Sequence, residues 1–371
     1  MRRREFLTTA ASVVVAPMAG RLAAAAERRF VYAATPGIRN YLEYGGIGVL
    51  VFDVAAGHQF VKRIATWPLV PGQDAENVKG IAAHAGTGRL FVSTIKRLAA
   101  LDLATDRKIW DREIAGGCDR LSVSPDGSTL YVPSFEGPHW TVVDAASGET
   151  VTTLVLNSGA HNTLYSRDGT RVYLAGLRSP LLSVADAKTH EVVSAVGPFA
   201  REVRPFTINA AQSLCYVNVN DLLGFEIGDI RTGRKLHRVV VQGYEQGPVL
   251  RHGCPSHGIG LTPDERELWL ADGHNKAMHI FDNTVMPPRQ AGTLQLRDQP
   301  GWITFSVNGE YAYPSSGEVF DVRTKRLVTT LEDEEGRHVG SEKLLEVVFD
   351  GARPVRVGDQ FGMGLRSRSA E

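Results

Sequence analysis

Lysines, arginines, histidines and carboxylates stand at corresponding places along this chain. Counted seven residues ahead of a tight turn that recurs through the sequence, the positions hold Lys79, Asp119, His161, Arg204, His257, Gly301 and Lys343. Six of these seven side chains are ionisable, and their neighbours add Arg120, Asn162, Trp302 and Glu342. An imidazole near a carboxylate is common apparatus for moving protons. His161 and His257 are therefore expected to act as an acid/base pair, with Asp119 orienting one of them or serving as a base. Lys79, Arg204 and Lys343 are expected to clamp a small anionic ligand, Arg204 through a bidentate grip. Trp302 would offer its face to a sugar ring, and Arg120, Asn162, Glu342 and His274 are expected to line the same place. The insertion at 242–256 brings His252 and Cys254 close to His257, and together with His161 these supply imidazoles of the kind a divalent metal takes. Their spacing matches no standard zinc pattern, and His252 reads as a solvated loop histidine. No cofactor is expected, with a divalent metal left open.

These residues need elements that hold them in register, and the sequence supplies a repeat. The segments LSVSPDGSTLYV (121–132), LYSRDGTRVYL (164–174), IGLTPDERELWL (259–270) and ITFSVNGEYAY (303–313) each read as strand, tight turn, strand. The aromatic of the second strand recurs as Tyr32, Phe91, Tyr131, Tyr173, Tyr216, Trp269 and Tyr313, at intervals of 59, 40, 42, 43, 53 and 44 residues. A third strand follows each time and ends at Asp53, Asp102, Asp144, Asp186, Asp229, Asp282 or Asp321, and then a fourth. Four strands every forty-odd residues predict an all-β, seven-bladed propeller. The chain enters on a second strand near Phe30, and a spare first strand stands at 344–349. The two are expected to share one blade and close the ring, which removes an open edge. Residues 352–371 have no assigned place.

The PDG turn followed by LYV (130–132), VYL (172–174) or CYVN (215–218) resembles the YVTN-type, surface-layer-related family of seven-bladed propellers. The resemblance runs from about residue 30 to 351 and implies the propeller fold. Its implications for activity are broad, because such relatives include plain binding scaffolds, haem and quinone redox domains, lactonases and lyases. No CxxCH haem-attachment motif occurs here, which weakens the redox branch.

The longest connections, 36–46, 67–78, 242–256 and 332–341, all fall on the face where first strands begin; the insertion at 284–288 falls on the other. Long loops gathered on one face of a rigid scaffold favour binding or catalysis there.

The 371 residues carry 41 basic and 41 acidic side chains. Residues 1–26 hold four arginines against one glutamate, so the remainder is mildly acidic, with 37 basic and 40 acidic groups. That remainder, 27–371, is expected to be a single propeller domain. The start, Arg3-Arg4-Glu5-Phe6-Leu7 before a short apolar run, resembles a twin-arginine export signal, cut near Ala26. It implies the twin-arginine machinery as a partner, a periplasmic or secreted location, and no stable membrane insertion, because the run is too short and too polar to span. No basic run follows it, so nucleic acid is not an expected partner. The combined expectation is an exported propeller that binds a small anionic or carbohydrate-derived ligand at the channel mouth, with lyase or lactonase-like hydrolase chemistry. The competing expectations are a non-catalytic cell-envelope scaffold and, more weakly, a redox-cofactor propeller.

Overall fold

Strands with alternating apolar residues bury both faces only if sheets stack face to face, and the repeated aromatic marks the centre of each stack. Tyr32, Phe91, Tyr131, Tyr173, Tyr216, Trp269 and Tyr313 all lie on second strands, and all are buried. The computed structural model describes residues 27–248 and 250–365; the export signal expected at 1–26 lies outside the described residues. Seven antiparallel sheets form, six of four strands and one of five. The first strands of the seven four-stranded blades are Val78–His84, Ser122–Val123, Ala160–Tyr165, Val203–Ile208, Ile259–Leu261, Ile303–Phe305 and Leu344–Asp350. Each touches the next in turn and the last touches the first, so the blades form a closed seven-bladed ring. The cores lie between blades: Tyr32 and Leu345 of one pack with Ile81 and Val92 of the next.

Short polar residues set the turns. The aspartates ending the third strands accept hydrogen bonds from backbone N–H groups two or three residues on, as at Asp53, Asp102, Asp144, Asp186, Asp229, Asp282 and Asp321. Between first and second strands, Asp126, Asp168, Asp264 and Asn308 do the same. Such Asx turns bend the chain locally and leave the strands to fix the register.

Ring closure follows the expected route. Arg28–Thr35 pairs antiparallel with Leu344–Asp350, from Arg28 opposite Phe349 to Ala33 opposite Leu344. The segment without an assigned place in the sequence supplies a fifth strand, Arg353–Val357, on the axial side of Leu344–Asp350. The chain then crosses the channel. Gln360 donates to Leu121 O at 3.0 Å and accepts from Ile81 N, while Gly362 O accepts from Leu261 N and from Thr207 Oγ1, both at 2.8 Å. Trp302 Nε1 donates to Gln360 O. Phe361 is buried against Trp302, Val203 and Phe206. The tail thus fills the channel and pairs inner-strand groups that would otherwise face it. Beside it, at the turn end, lies a cavity of about 290 Å³ with mostly apolar walls, including Leu121, Leu164, Tyr165 and Met363. Among the described residues no helix is long and apolar enough to cross a membrane.

Removing the plug's anchor tests its weight. Phe361→Ala is expected to lower unfolding free energy by about 3–5 kcal/mol, the range for truncating a buried aromatic, read as a fall in the denaturant midpoint.

Candidate active site at the channel mouth

The ring puts the start of every first strand at one rim, and the register selects which side chains face the axis. Lys79, Asp119, His161, Arg204 and His257 do meet there. Asp119 anchors one side: its Oδ2 is 2.7 Å from His161 Nδ1, and its Oδ1 is 3.8 Å from Lys79 Nζ. Its own backbone is pinned by N–H donation to Pro133 O at 2.8 Å and by Ser93 Oγ donating to its carbonyl at 2.9 Å. Burial opposes ionisation of Asp119, but Lys79, His161 and Arg120 outweigh it and hold the carboxyl below its ordinary range. Since the carboxylate only accepts, the proton of His161 sits on Nδ1 and Nε2 presents a lone pair. That Nε2 is buried and has no hydrogen-bond partner.

Glu342 anchors the other side. Its Oε2 accepts from Lys343 Nζ at 2.9 Å and from Arg120 Nη2 at 3.1 Å, while Oε1 lies 3.3 Å from His252 Nδ1. Burial again opposes the charge, yet Lys343, His252, His257 and Arg120 together keep the carboxyl well below its ordinary range. Burial pushes the Lys343 ammonium down to about 7, Arg120 and Lys79 adding repulsion that Glu342 only partly offsets. Lys343 Nζ also donates to Gly37 O at 2.8 Å, so its charge is committed to the protein.

Gly301, the one unionisable member of the ring, has a steric cause. A Cβ there would stand 2.2 Å from His252 Nε2 and 2.4 Å from Glu342 Oε1. The insertion at 242–256 drops His252 into this vacancy, where it stacks on His257 with ring centroids 4.5 Å apart and planes inclined by 20°. The expectation of a solvated loop histidine is corrected: the His252 side chain is 10% exposed, and burial lowers its pKa to about 4. Ser256 Oγ accepts from Gly224 N at 3.0 Å and Cys254 Sγ donates to Ser256 O at 2.8 Å, which ties the insertion down. The loop at 36–46 clamps it from outside, with Arg39 donating to Arg251 O and Arg251 bonded to both Tyr44 and Asp298. His257 lies 6.3 Å from His161 between ring centroids, and its Nδ1 is 3.0 Å from Gly301 O. A carbonyl only accepts, so His257 also carries its proton on Nδ1. Burial lowers the pKa of both His161 and His257.

Arg204 stands between the two groups. Its charge acts on both His161 and His257, and its Nη2 packs 2.5 Å from where a Cβ on Gly253 would be. Among the described residues it has no carboxylate within ion-pair distance, and its buried Nε has no hydrogen-bond partner. Arg120 Nε and Nη1 and both side-chain polar atoms of Asn162 are likewise buried without partners.

Other expected residues are placed differently. Trp302 is buried beneath the cluster; the Arg120 guanidinium lies 3.3 Å from its ring centroid, and Phe361 meets its edge, so no face is open to a sugar. His274 is exposed on the rim beside Gly247, outside the cluster. Cys254 is buried, with its thiol pushed up to about 11 by burial. His252, His257 and Glu342 each offer one donor atom, all within 4.8 Å of one another, and could hold a metal ion. His161 is not part of that group.

No protein-family model matches the chain. No curated protein matches it either. Among solved structures it is similar to Kuenenia stuttgartiensis hydrazine synthase, with a TM-score of 0.60, 13% identity, and 75% of this chain aligned to 88% of that one. At that identity the likeness shows the propeller fold alone.

The buried imidazoles make the protein acid-sensitive. Unfolded histidines ionise near 6.5, whereas burial lowers His161 and His257 and takes His252 to about 4. The unfolded chain therefore binds more protons below pH 6.5, and stability falls as pH drops from about 6.5 toward 4. Denaturation midpoints measured across that window are expected to show this slope, shallower in His252→Asn.

Proposed function

We propose that this propeller is exported and binds a small carboxylate-bearing, carbohydrate-derived ligand at the channel mouth, where His161 transfers a proton. The supporting observation is the pairing of two unsatisfied groups. His161 presents a buried lone pair on Nε2 while Asp119 fixes its tautomer, and Arg204 presents a cation that, among the described residues, has no carboxylate within ion-pair distance and a buried Nε without a partner. A buried N–H or lone pair left unpaired costs about 1–3 kcal/mol, and a bound anion carrying an acidic C–H would satisfy both. Arg204 would grip the carboxylate in bidentate fashion. His161 would remove the proton from the adjacent carbon, and Asp119 would stabilise the imidazolium as it forms. In a uronate this is the opening of an elimination; on a lactone the same dyad would activate water. Lys79 would keep Asp119 ionised.

The turnover test uses sugar acids and their lactones. His161→Ala is expected to lower kcat by about 10²–10⁴-fold, and Arg204→Ala to raise KM, with melting temperatures close to native. An unsaturated product marks elimination and a ring-opened acid marks hydrolysis. If turnover is found and both variants keep it in full, the proton-transfer reading is lost. If nothing is turned over but an envelope protein is retained through the 242–256 loop, the scaffold reading replaces it.

Export by the twin-arginine route belongs to the same proposal. Cys118, Cys215 and Cys254 are buried and unpaired, in keeping with folding in a reducing compartment before transport. Replacing both arginines (Arg3→Lys with Arg4→Lys) is expected to retain the folded chain in the cytoplasm on fractionation.

A further inference from the structure

We propose that the channel mouth is a mononuclear metal centre in which His252, His257 and Glu342 hold one divalent first-row transition ion, with the anion near Arg204 as its fourth ligand. The first ground is donor chemistry. His257 holds its Nδ1 proton against Gly301 O and turns its Nε2 lone pair outward, while a ring nitrogen of His252 lies 3.3 Å from Glu342 Oε1, a separation suited to two ligands of one ion. An Nδ1–H held by a backbone carbonyl, as in His257, is the outer support usual for metal-ligating histidine. Glu342 divides its two oxygens in the same sense. Oε2 takes the cations Lys343 and Arg120, and Oε1 is left toward His252. Two nitrogens and one carboxylate oxygen suit zinc, manganese, iron or cobalt, and not the oxygen-seeking calcium or magnesium.

The second ground is what lies unsatisfied around the cluster. His252 Nε2 is a buried ring nitrogen without a partner, while Arg120 Nη1 and Arg204 Nε are buried donors without an acceptor. A cation alone would satisfy the lone pairs and repel the guanidinium groups. An anion alone would satisfy the guanidinium groups and leave the imidazoles bare. A metal ion carrying an anionic ligand satisfies both sets. The vacancy at Gly301 has the same meaning, because any side chain there would occupy the room in front of His252 Nε2 and Glu342 Oε1. His161, outside the triad and 6.3 Å from His257 between ring centroids, is then placed to take a proton from what the ion binds.

This inference shares the anion-binding site with the function proposed above, so the test reads metal and anion separately. The full chain is stripped with a chelator and titrated calorimetrically with Zn²⁺, and with Co²⁺ for its visible d–d bands. One equivalent is expected to bind, and His252→Ala and His257→Ala are each expected to weaken binding roughly 100-fold or more. Gly301→Ala removes no ligand and should weaken binding by taking the room. His274→Ala, an exposed histidine on the same rim, should bind as the native chain does. Near-ultraviolet circular dichroism of each variant separates lost ligation from lost fold. The metal centre is overturned if the native chain takes up no equivalent, or if the double variant His252→Ala/His257→Ala binds as tightly. Sugar acids are then titrated into the stripped protein and the Zn²⁺-loaded protein. Arg204-dependent binding by the stripped chain with no metal uptake would sink the metal centre and leave the anion site standing. Metal uptake with no sugar-acid binding in either form would do the reverse.

Discussion

The antiparallel pairing of Arg28–Thr35 with Leu344–Asp350 joins the two ends of the chain, and the mouth exists only because of it. Without that ladder, Glu342 and Lys343 would hang from a free terminus, more than 200 residues in sequence from Arg120. With it, Glu342 is brought against Arg120, His252 and Lys343 inside one ring. The closing blade also carries the fifth strand, whose continuation plugs the channel below Trp302. Closure therefore supplies both the floor of the site and its central carboxylate.

That carboxylate governs the electrostatics around it. Charges this deep in a protein are stable only as a network in which each is answered by another. Glu342 answers Arg120 and Lys343 with one oxygen and His252 with the other. Asp119 does the corresponding work for Lys79 and His161. The two carboxylates thereby define two halves, one rich in paired cations and stacked imidazoles, the other a histidine–aspartate dyad. Arg204 lies between them, with no carboxylate within ion-pair distance among the described residues and its buried Nε unpartnered.

The fold was legible because its signals are local and periodic. The seven second-strand aromatics and the aspartates ending third strands recur at strand-turn spacing, and each marks a place that one repeat's own geometry determines. The ring of mouth residues followed from the same arithmetic. What the repeat could not express came from outside it. His252 belongs to an insertion, so no alignment position announces that it fills the gap at Gly301; the only trace in the sequence is that the ring's single small residue coincides with a nearby histidine-bearing loop. Trp302 was assigned to the right place and the wrong exposure, because the Arg120 guanidinium that covers it comes from a blade remote in sequence. The tail at 358–365 has no periodicity, and its docking depends on backbone groups offered by inner strands of several blades.

A plugged channel changes what the mouth is. An open pore would let water reach the imidazoles from both ends and would screen every charge on its wall. Here Gln360 and Phe361 close the lower end under Trp302, and the loops at 36–46 and 242–256, clamped to each other through Arg39 and Arg251, crowd the upper one. Lower local dielectric strengthens each pairing and raises the cost of each unpaired group. The buried, unpartnered atoms of His161, His252, Arg120 and Arg204 are costly for that reason, and they gather at one rim of the ring. That cost is what the ligand proposed for the mouth would relieve.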